Sequence, residues 1–388
     1  MSQARVRRMD LDLAAATVGV IAEEGWAGLS FSSVAERAGT SRRPLQDRFD
    51  DRYALAAATW RDHIEPALRR DLVAALSYAG LVDQPPDSGQ FAQALDTFAH
   101  PARELRAACE LLIVSHFDPV MAAVVRETLE PQITVWCTPV EGVLAPAMAA
   151  KRAYVIGAAL GLTMIERRPG VVDVALHGAA RVLLSALATD LDPRRVPIVP
   201  APHIDGPVAF DTGDETRDRL LQATLDEIGH RGFDATTVEA IAERAGSSQG
   251  ALFARYPTKM ALFVDAAERQ LGFALRANES WMASIEKDHG RGVAEAALIR
   301  ETQDPTRGEL RAVALEELRL SWHNADLRAR IAKQFDEYVV DMQVPKPHFD
   351  PGEVQLGYAV GAGVLVLPLL CPGAWTLPYD VVTVAWEG

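Results

Sequence analysis

The chain has 388 residues, is 49% apolar, and carries 39 basic residues against 53 acidic ones, a net charge of −14. That length gives room for two to three domains with ample core. Abundant Ala and Leu with little strand-like alternation argue against a β architecture and for an all-α protein. The acidity excludes a uniformly basic nucleic-acid binder, and three cysteines, Cys109, Cys137 and Cys371, without CxxC spacing exclude a disulfide or zinc scaffold.

The N-terminus is Arg-rich and then amphipathic, which does not fit a signal peptide, so a cytoplasmic protein is expected. A first helix is marked by Leu13, Thr17, Val20 and Ile21 at helical spacing and stops at Gly25, followed by Trp26. Ser30 stands at the N-cap of a second helix that ends at Gly39, and Ser41 caps a short third helix over Arg42–Arg48. Pro44 is tolerated there because it falls in the first helical turn. Two helices joined by a short glycine-containing turn form a helix-turn-helix arrangement. Longer helices are predicted over 53–78, 88–98, 102–116, 119–135, 140–167 and 171–190. A proline-rich linker, 192–213, follows with Pro193, Pro197, Pro200, Pro202 and Pro207.

After the linker the chain repeats itself. Ala35-Glu36-Arg37-Ala38-Gly39 recurs as Ala242-Glu243-Arg244-Ala245-Gly246, and 15–55 aligns without a gap on 222–262, with fourteen identities in forty-one positions. Such a match indicates an internal repeat. The second copy presents Leu221, Leu225 and Ile228, then Gly232, Thr237 as N-cap, Gly246, and Ser248 capping Gln249–Arg255. Further helices are predicted at 260–285, 291–301, 307–323, 325–341 and 351–370. Glu309-Leu310-Arg311-Ala312 answers Glu104-Leu105-Arg106-Ala107. The stretch 354–379 has no charged residue, but its glycines and prolines, and its alignment with 153–165, favour a buried interface helix over a membrane span. Residues 1–55 hold eight Arg and eight acids and 214–262 hold six cations and eight acids, so −12 of the charge lies outside the two repeated segments. An acidic body with near-neutral heads suits selective binding.

The second copy reads Thr236-Thr237-Val238, Ile241-Ala242, Ala245-Gly246-Ser247, Gly250-Ala251-Leu252-Phe253, Tyr256, then Lys259 before Ala261-Leu262. In this, and more loosely in the first copy, the chain resembles the N-terminal domain of the TetR family of bacterial repressors over about fifty residues per copy. The first copy departs at Arg43-Pro44, at Gln46 and at Asp50-Asp51. The resemblance implies an all-α fold of two tandem units. Residues 1–52 and 214–259 would be helix-turn-helix domains, 53–191 and 260–388 helical regulatory domains, and 192–213 the linker. TetR-like repressors act as homodimers, so this chain would hold both halves as an intrachain pseudo-dimer that needs no second chain. Gly157/Gly161 and Gly357/Gly361 would let its helices approach across a four-helix seam.

On this reading the partner is double-stranded DNA. Arg42 and Arg43 would face guanine edges, Gln249 would face adenine, and Gly250 would admit a close backbone approach. Gln46 and Phe253 are the next exposed positions. Arg48, Arg255, Arg52 and Lys259 are assigned to phosphates, with the helix-start hydroxyls of Ser30, Ser41, Thr236, Thr237 and Ser248, and the Tyr256 hydroxyl is within reach of the backbone. Trp60, His63, Phe98, Phe117, Trp136, Phe273, Trp281, Trp322, Phe335 and Tyr338 fit plain core packing or a pocket for a small hydrophobic effector; as patterns both readings stand. No catalytic arrangement, metal spacing or phosphate loop is present, so neither an enzyme nor a cofactor is expected. The chain therefore reads as a repressor with an asymmetric operator. The alternative is a ligand- or protein-binding regulatory module whose first head has lost DNA.

Overall fold

The computed structural model describes residues 3–165, 176–191, 199, 210–343 and 351–386, without the side chains of 3–7, 335–343, 351, 352, 354 and 386. Among the described residues the chain is helical, with one isolated antiparallel bridge, Val140 to Leu144, and no strand. The first head comprises α1 (Gln3–Gly28), α2 (Phe31–Arg37) and α3 (Arg43–Gln46). Its body begins with α4 (Arg52–Thr59), which runs through a π turn at Trp60–Ile64 into α5 (Glu65–Tyr78). It continues with α6 (Ser88–Ala99), α7 (Arg103–Phe117), α8 (Pro119–Thr128), α9 (Glu130–Cys137), α10 (Pro146–Ile165) and α11 (His177–Ala188). The second head holds α12 (Glu215–Ala235), α13 (Val238–Arg244) and α14 (Gln249–Phe253). Its body holds α15 (Lys259–His289), α16 (Arg291–Gln303), α17 (Gly308–His323), α18 (Ala325–Gln343), α19 (Pro351–Gly363), α20 (Leu367–Leu370) and α21 (Asp380–Trp386).

The two heads bury residues at matching places. Leu13, Ile21, Val34, Leu45 and Leu55 close the first, and Leu220, Ile228, Ile241, Leu252 and Leu262 the second. Each such side chain contributes about 1.5–3 kcal/mol over leaving it in water. The first helix of each head bends at a glycine with positive φ, Gly25 at 75° and Gly232 at 77°. A residue with a β-carbon is disfavoured in that conformation.

The bodies meet along α10, α11, α19 and α21, whose apolar residues join one continuous core. α10 and α19 form the closest pair: a β-carbon on Gly161 would overlap the Ala359 carbonyl, and one on Gly363 would overlap the Gly157 carbonyl. The expected glycine seam is thus partly corrected, since Gly357 and Gly361 face open space. α10 is long and apolar enough to cross a membrane by length and composition alone, but most of it is buried inside the protein.

Three expected helices differ. The one at 119–135 splits at Leu129, where α8 ends and α9 opens with Pro131 in its first turn. The one at 140–167 starts only at Pro146, after the turn closed by the Val140–Leu144 bridge. The one at 351–370 stops at Gly363 and resumes as the short α20, with Pro368 in its first turn. Most of the proline-rich linker, and the expected helix residues 171–175, lie outside the described residues.

Candidate nucleic-acid interface

Helix starts in both heads are fixed by side chains. The Ser30 hydroxyl accepts the Ser33 N–H at 3.1 Å while Ser33 accepts the Ser30 N–H at 3.0 Å, a reciprocal capping box on α2. Thr237 accepts from Ala240 at 3.1 Å on α13, and Ser248 from Ala251 at 3.1 Å on α14. Ser41 does not do the same. The cap position of α3 falls on Arg42, which is already helical, and no side-chain cap bond forms. α3 therefore begins one turn-position late and is shorter than the expected 42–48, with Pro44 in its first turn.

The exposed edges of α3 and α14 differ in chemistry. Arg42, Arg43 and Gln46 are exposed on α3, against Gln249, Gly250 and Phe253 on α14. Arg43 Nε lies 3.9 Å from Asp47, with both side chains largely in water. Such a pair contributes about 0–1 kcal/mol and leaves the guanidinium free to exchange partners. Phe253 is 50% exposed, a large apolar group in solvent; on DNA it would suit a thymine methyl.

Several residues assigned to phosphate from sequence make contacts within the heads in this structure. Lys259 Nζ donates to the Phe233 and Thr236 carbonyls, at 2.7 Å each, and sits 4.1 Å above the Phe233 ring. Burial draws its ammonium pKa down, against the opposing pull of Asp234 and Glu316. Arg52 takes the corresponding place over Trp26 at 4.7 Å and Tyr53 at 5.2 Å. Thr236 is buried, its hydroxyl donating to Gly232 at 2.7 Å and Glu227 at 3.2 Å, so it is no phosphate ligand. Tyr256 is likewise turned inward. Its hydroxyl donates to Asp265 and accepts from Arg217 Nε at 2.9 Å, and burial, then Asp265, pushes its pKa up to about 12. Arg48 pairs with Asp10 of α1 at 2.8 Å and Arg255 with Asp214, the N-cap of α12, at 2.8 Å, each linking the turn after the short helix to the start of its head. The Arg255 bond, then the Arg217 N–H, holds the Asp214 carboxyl below the usual range.

The aromatic candidates do not gather in one place. Trp60, Phe98 and Trp136 belong to the main core, where Trp60 Nε1 donates to Thr128 at 2.8 Å. His63 is half-buried. Phe117 and Trp322 pack against the same core where the units cross, and Trp322 Nε1 donates to the Met164 carbonyl at 2.9 Å. Trp281 sits in a separate small cluster with Ile285 and Val293, and Phe273 is partly exposed. The side chains of Phe335 and Tyr338 lie outside the described residues. Among the described residues no group of His, Cys, Asp or Glu is arranged to hold a metal ion.

What sequence reasoning missed lies under the heads. The Trp26 N–H, just after Gly25, donates to Glu110 at 2.7 Å, and the Phe233 N–H, just after Gly232, donates to Glu316 at 3.1 Å. Both glutamates are buried in their body helices. The available signal was a lone acid inside the apolar run Ala107–Val114.

Two short exposed helices, each preceded by a capped helix and seated on a helical body, have the geometry of a helix-turn-helix protein. Residues 220–266, the second head and the start of α15, match the family described as bacterial regulatory proteins, tetR family. Over 74 residues the chain is 31% identical to the uncharacterized HTH-type transcriptional regulator YerO of Bacillus subtilis (strain 168). That match covers 19% of this chain and 24% of the relative's length. Residues 220–266 are thus similar to the DNA-binding domain of TetR-family regulators, within an all-helical chain.

Proposed function

We infer that the chain is a repressor that grips one asymmetric operator with its two unlike heads, as a covalent pseudo-dimer in the bacterial cytoplasm. A small hydrophobic effector in the helical body would release it by shifting the separation of the heads. The observation that carries this reading is the pair α3 and α14. Their supporting devices are alike: a buried leucine, an arginine tie to the start of the head, and a glycine turn seated on a buried glutamate. Their exposed side chains are unlike. Matched scaffolding with unmatched contact residues fits two heads that read different half-sites.

Selection of bound sequences from a random DNA pool by the purified chain tests this. The expected product is one site with two dissimilar halves, of which Gln249→Ala blurs one and Arg42→Ala the other. Small apolar molecules that raise the melting temperature of the chain should also dissociate it from that site. A second reading draws on Asp47 and Asp50, exposed beside α3 where phosphates would pass. If the first head contributes nothing, the selected site will contain a single half, and the chain is a module with one working head.

A further inference from the structure

Beneath the heads, α7 and α17 cross, and each ends against the other unit's head. His323, at the end of α17, lies against the Gly25 turn of the first head: its Nε2 would be 2.9 Å from a β-carbon on Gly25. The ring is also 3.2 Å from Glu110 and 3.2 Å from the Glu23 carbonyl. Phe117, at the end of α7, lies against the Gly232 turn of the second head, its Cγ 3.0 Å from a β-carbon there. Between these crossed seats stands Arg319. Its Nη1 is 3.1 Å from Glu110, its Nε and Nη2 are 2.9 and 2.8 Å from Glu316, and its Nη2 is 3.1 Å from Asp234. The side chains of Arg319, Glu110 and Glu316 are 3%, 1% and 1% exposed. One guanidinium thus binds both of the carboxylates that hold the two head turns.

We propose that Arg319 is a positioning residue that locks the two heads at one separation and orientation, by pinning together the seats of both glycine turns. The proposal rests on the reading that the heads act as a pair on DNA. A buried guanidinium with its donors shared among three carboxylates has little freedom to shift without leaving a charge uncompensated. The lock also requires unlike units. The corresponding stretch of α7, Ile113-Val114, is apolar, whereas a symmetric pair of identical subunits would present two arginines to the same spot. Burial pushes Glu316 up, while at Glu110 the pull of Arg319, with His323, outweighs burial and holds the carboxyl low. The guanidinium itself is held charged, since Glu110 and Glu316 more than offset its burial.

The test compares the wild-type chain with Arg319→Met and with the neutral triple variant Arg319→Met/Glu110→Gln/Glu316→Gln. The triple variant keeps an acceptor oxygen for the Trp26 and Phe233 N–H groups and leaves no buried carboxylate without its guanidinium, so it guards against a simple folding failure of Arg319→Met. Spin labels go on Glu36→Cys and Glu243→Cys, exposed and 207 residues apart, while the three native cysteines are buried. Double electron–electron resonance should give one narrow head-to-head distance in the wild type. The triple variant should give a broad distribution with its helical circular dichroism and cooperative melting retained. On DNA, inserting five base pairs between half-sites, half a turn, should weaken the wild type by about tenfold or more, as expected when simultaneous engagement is lost. The triple variant should respond by less than about threefold while its affinity for an isolated half-site is unchanged. An unchanged distance distribution in the triple variant overturns the lock. A broadened distribution in a chain whose wild type binds no DNA upholds the lock and rejects the paired-head reading instead.

Discussion

A cation beside a recognition helix can serve the fold or the DNA, and its hydrogen-bond partners decide which. Lys259 has two carbonyls and an aromatic face inside its own head. Lys259→Ala should therefore cost about 1–3 kcal/mol of stability, from two lost bonds to a charged donor, and leave the salt dependence of DNA binding unaltered; thermal melts and a salt titration check both halves. Arg42→Ala and Gln249→Ala should do the reverse: stability within about 0.5 kcal/mol, and about 1–3 kcal/mol lost at one half-site only, read from binding to single-base variants of the site. The cysteines give a third expectation at this scale. Burial, with Glu110 adding at Cys109, raises the thiols of Cys109 and Cys137, and burial also raises Cys371. A chromogenic disulfide reagent should find no reactive thiol in the native chain and all three in denaturant, which separates buried thiols from a redox sensor.

At the scale of elements, the α10–α19 pair makes the sharpest prediction. No β-carbon fits on Gly161 without displacing the Ala359 backbone, so Gly161→Ala should destabilise the chain by about 3 kcal/mol, the upper end for overpacking. Gly361→Ala, on the same helix pair but facing open space, should be neutral or stabilise by about 0.5–1 kcal/mol through helix propensity. Denaturant midpoints of the two variants compare them directly. The contrast also marks what the sequence could reveal. Helix existence was legible because apolar spacing, capping residues and stop glycines act locally, and Ser30, Thr237 and Ser248 all cap as their positions indicate. Gly157 and Gly161 lie at the α10–α19 contact as expected, but that Gly363, not Gly357 or Gly361, meets them was not legible, because it depends on tertiary approach. Ser41 misled for a related reason: the chain enters α3 already helical at Arg42, leaving no cap for a serine to fill. Thr236, Tyr256 and Lys259 misled because residue type gives no direction, and all three point into the head. Glu110 and Arg319 are 209 residues apart, so their meeting where α7 and α17 cross is beyond the reach of any local pattern.

On the scale of the whole molecule, the central claim is that one chain does the work of a pair while escaping the symmetry of a pair. Identical subunits must read an inverted repeat, because one helix sequence meets both half-sites. Here Arg42 stands against Gln249, Arg43 against Gly250, Gln46 against Phe253 and Asp47 against Ala254. If both heads bind DNA as proposed, discrimination of about 1–3 kcal/mol per mismatched base pair would be enough for each to prefer its own half. The most direct test is a footprint of the purified chain combined with the binding stoichiometry on the protected fragment. The expected result is one chain per site, bound in one orientation, protecting two dissimilar halves about 34–36 Å apart, one turn of B-DNA. A perfect palindrome occupied by two chains would contradict it.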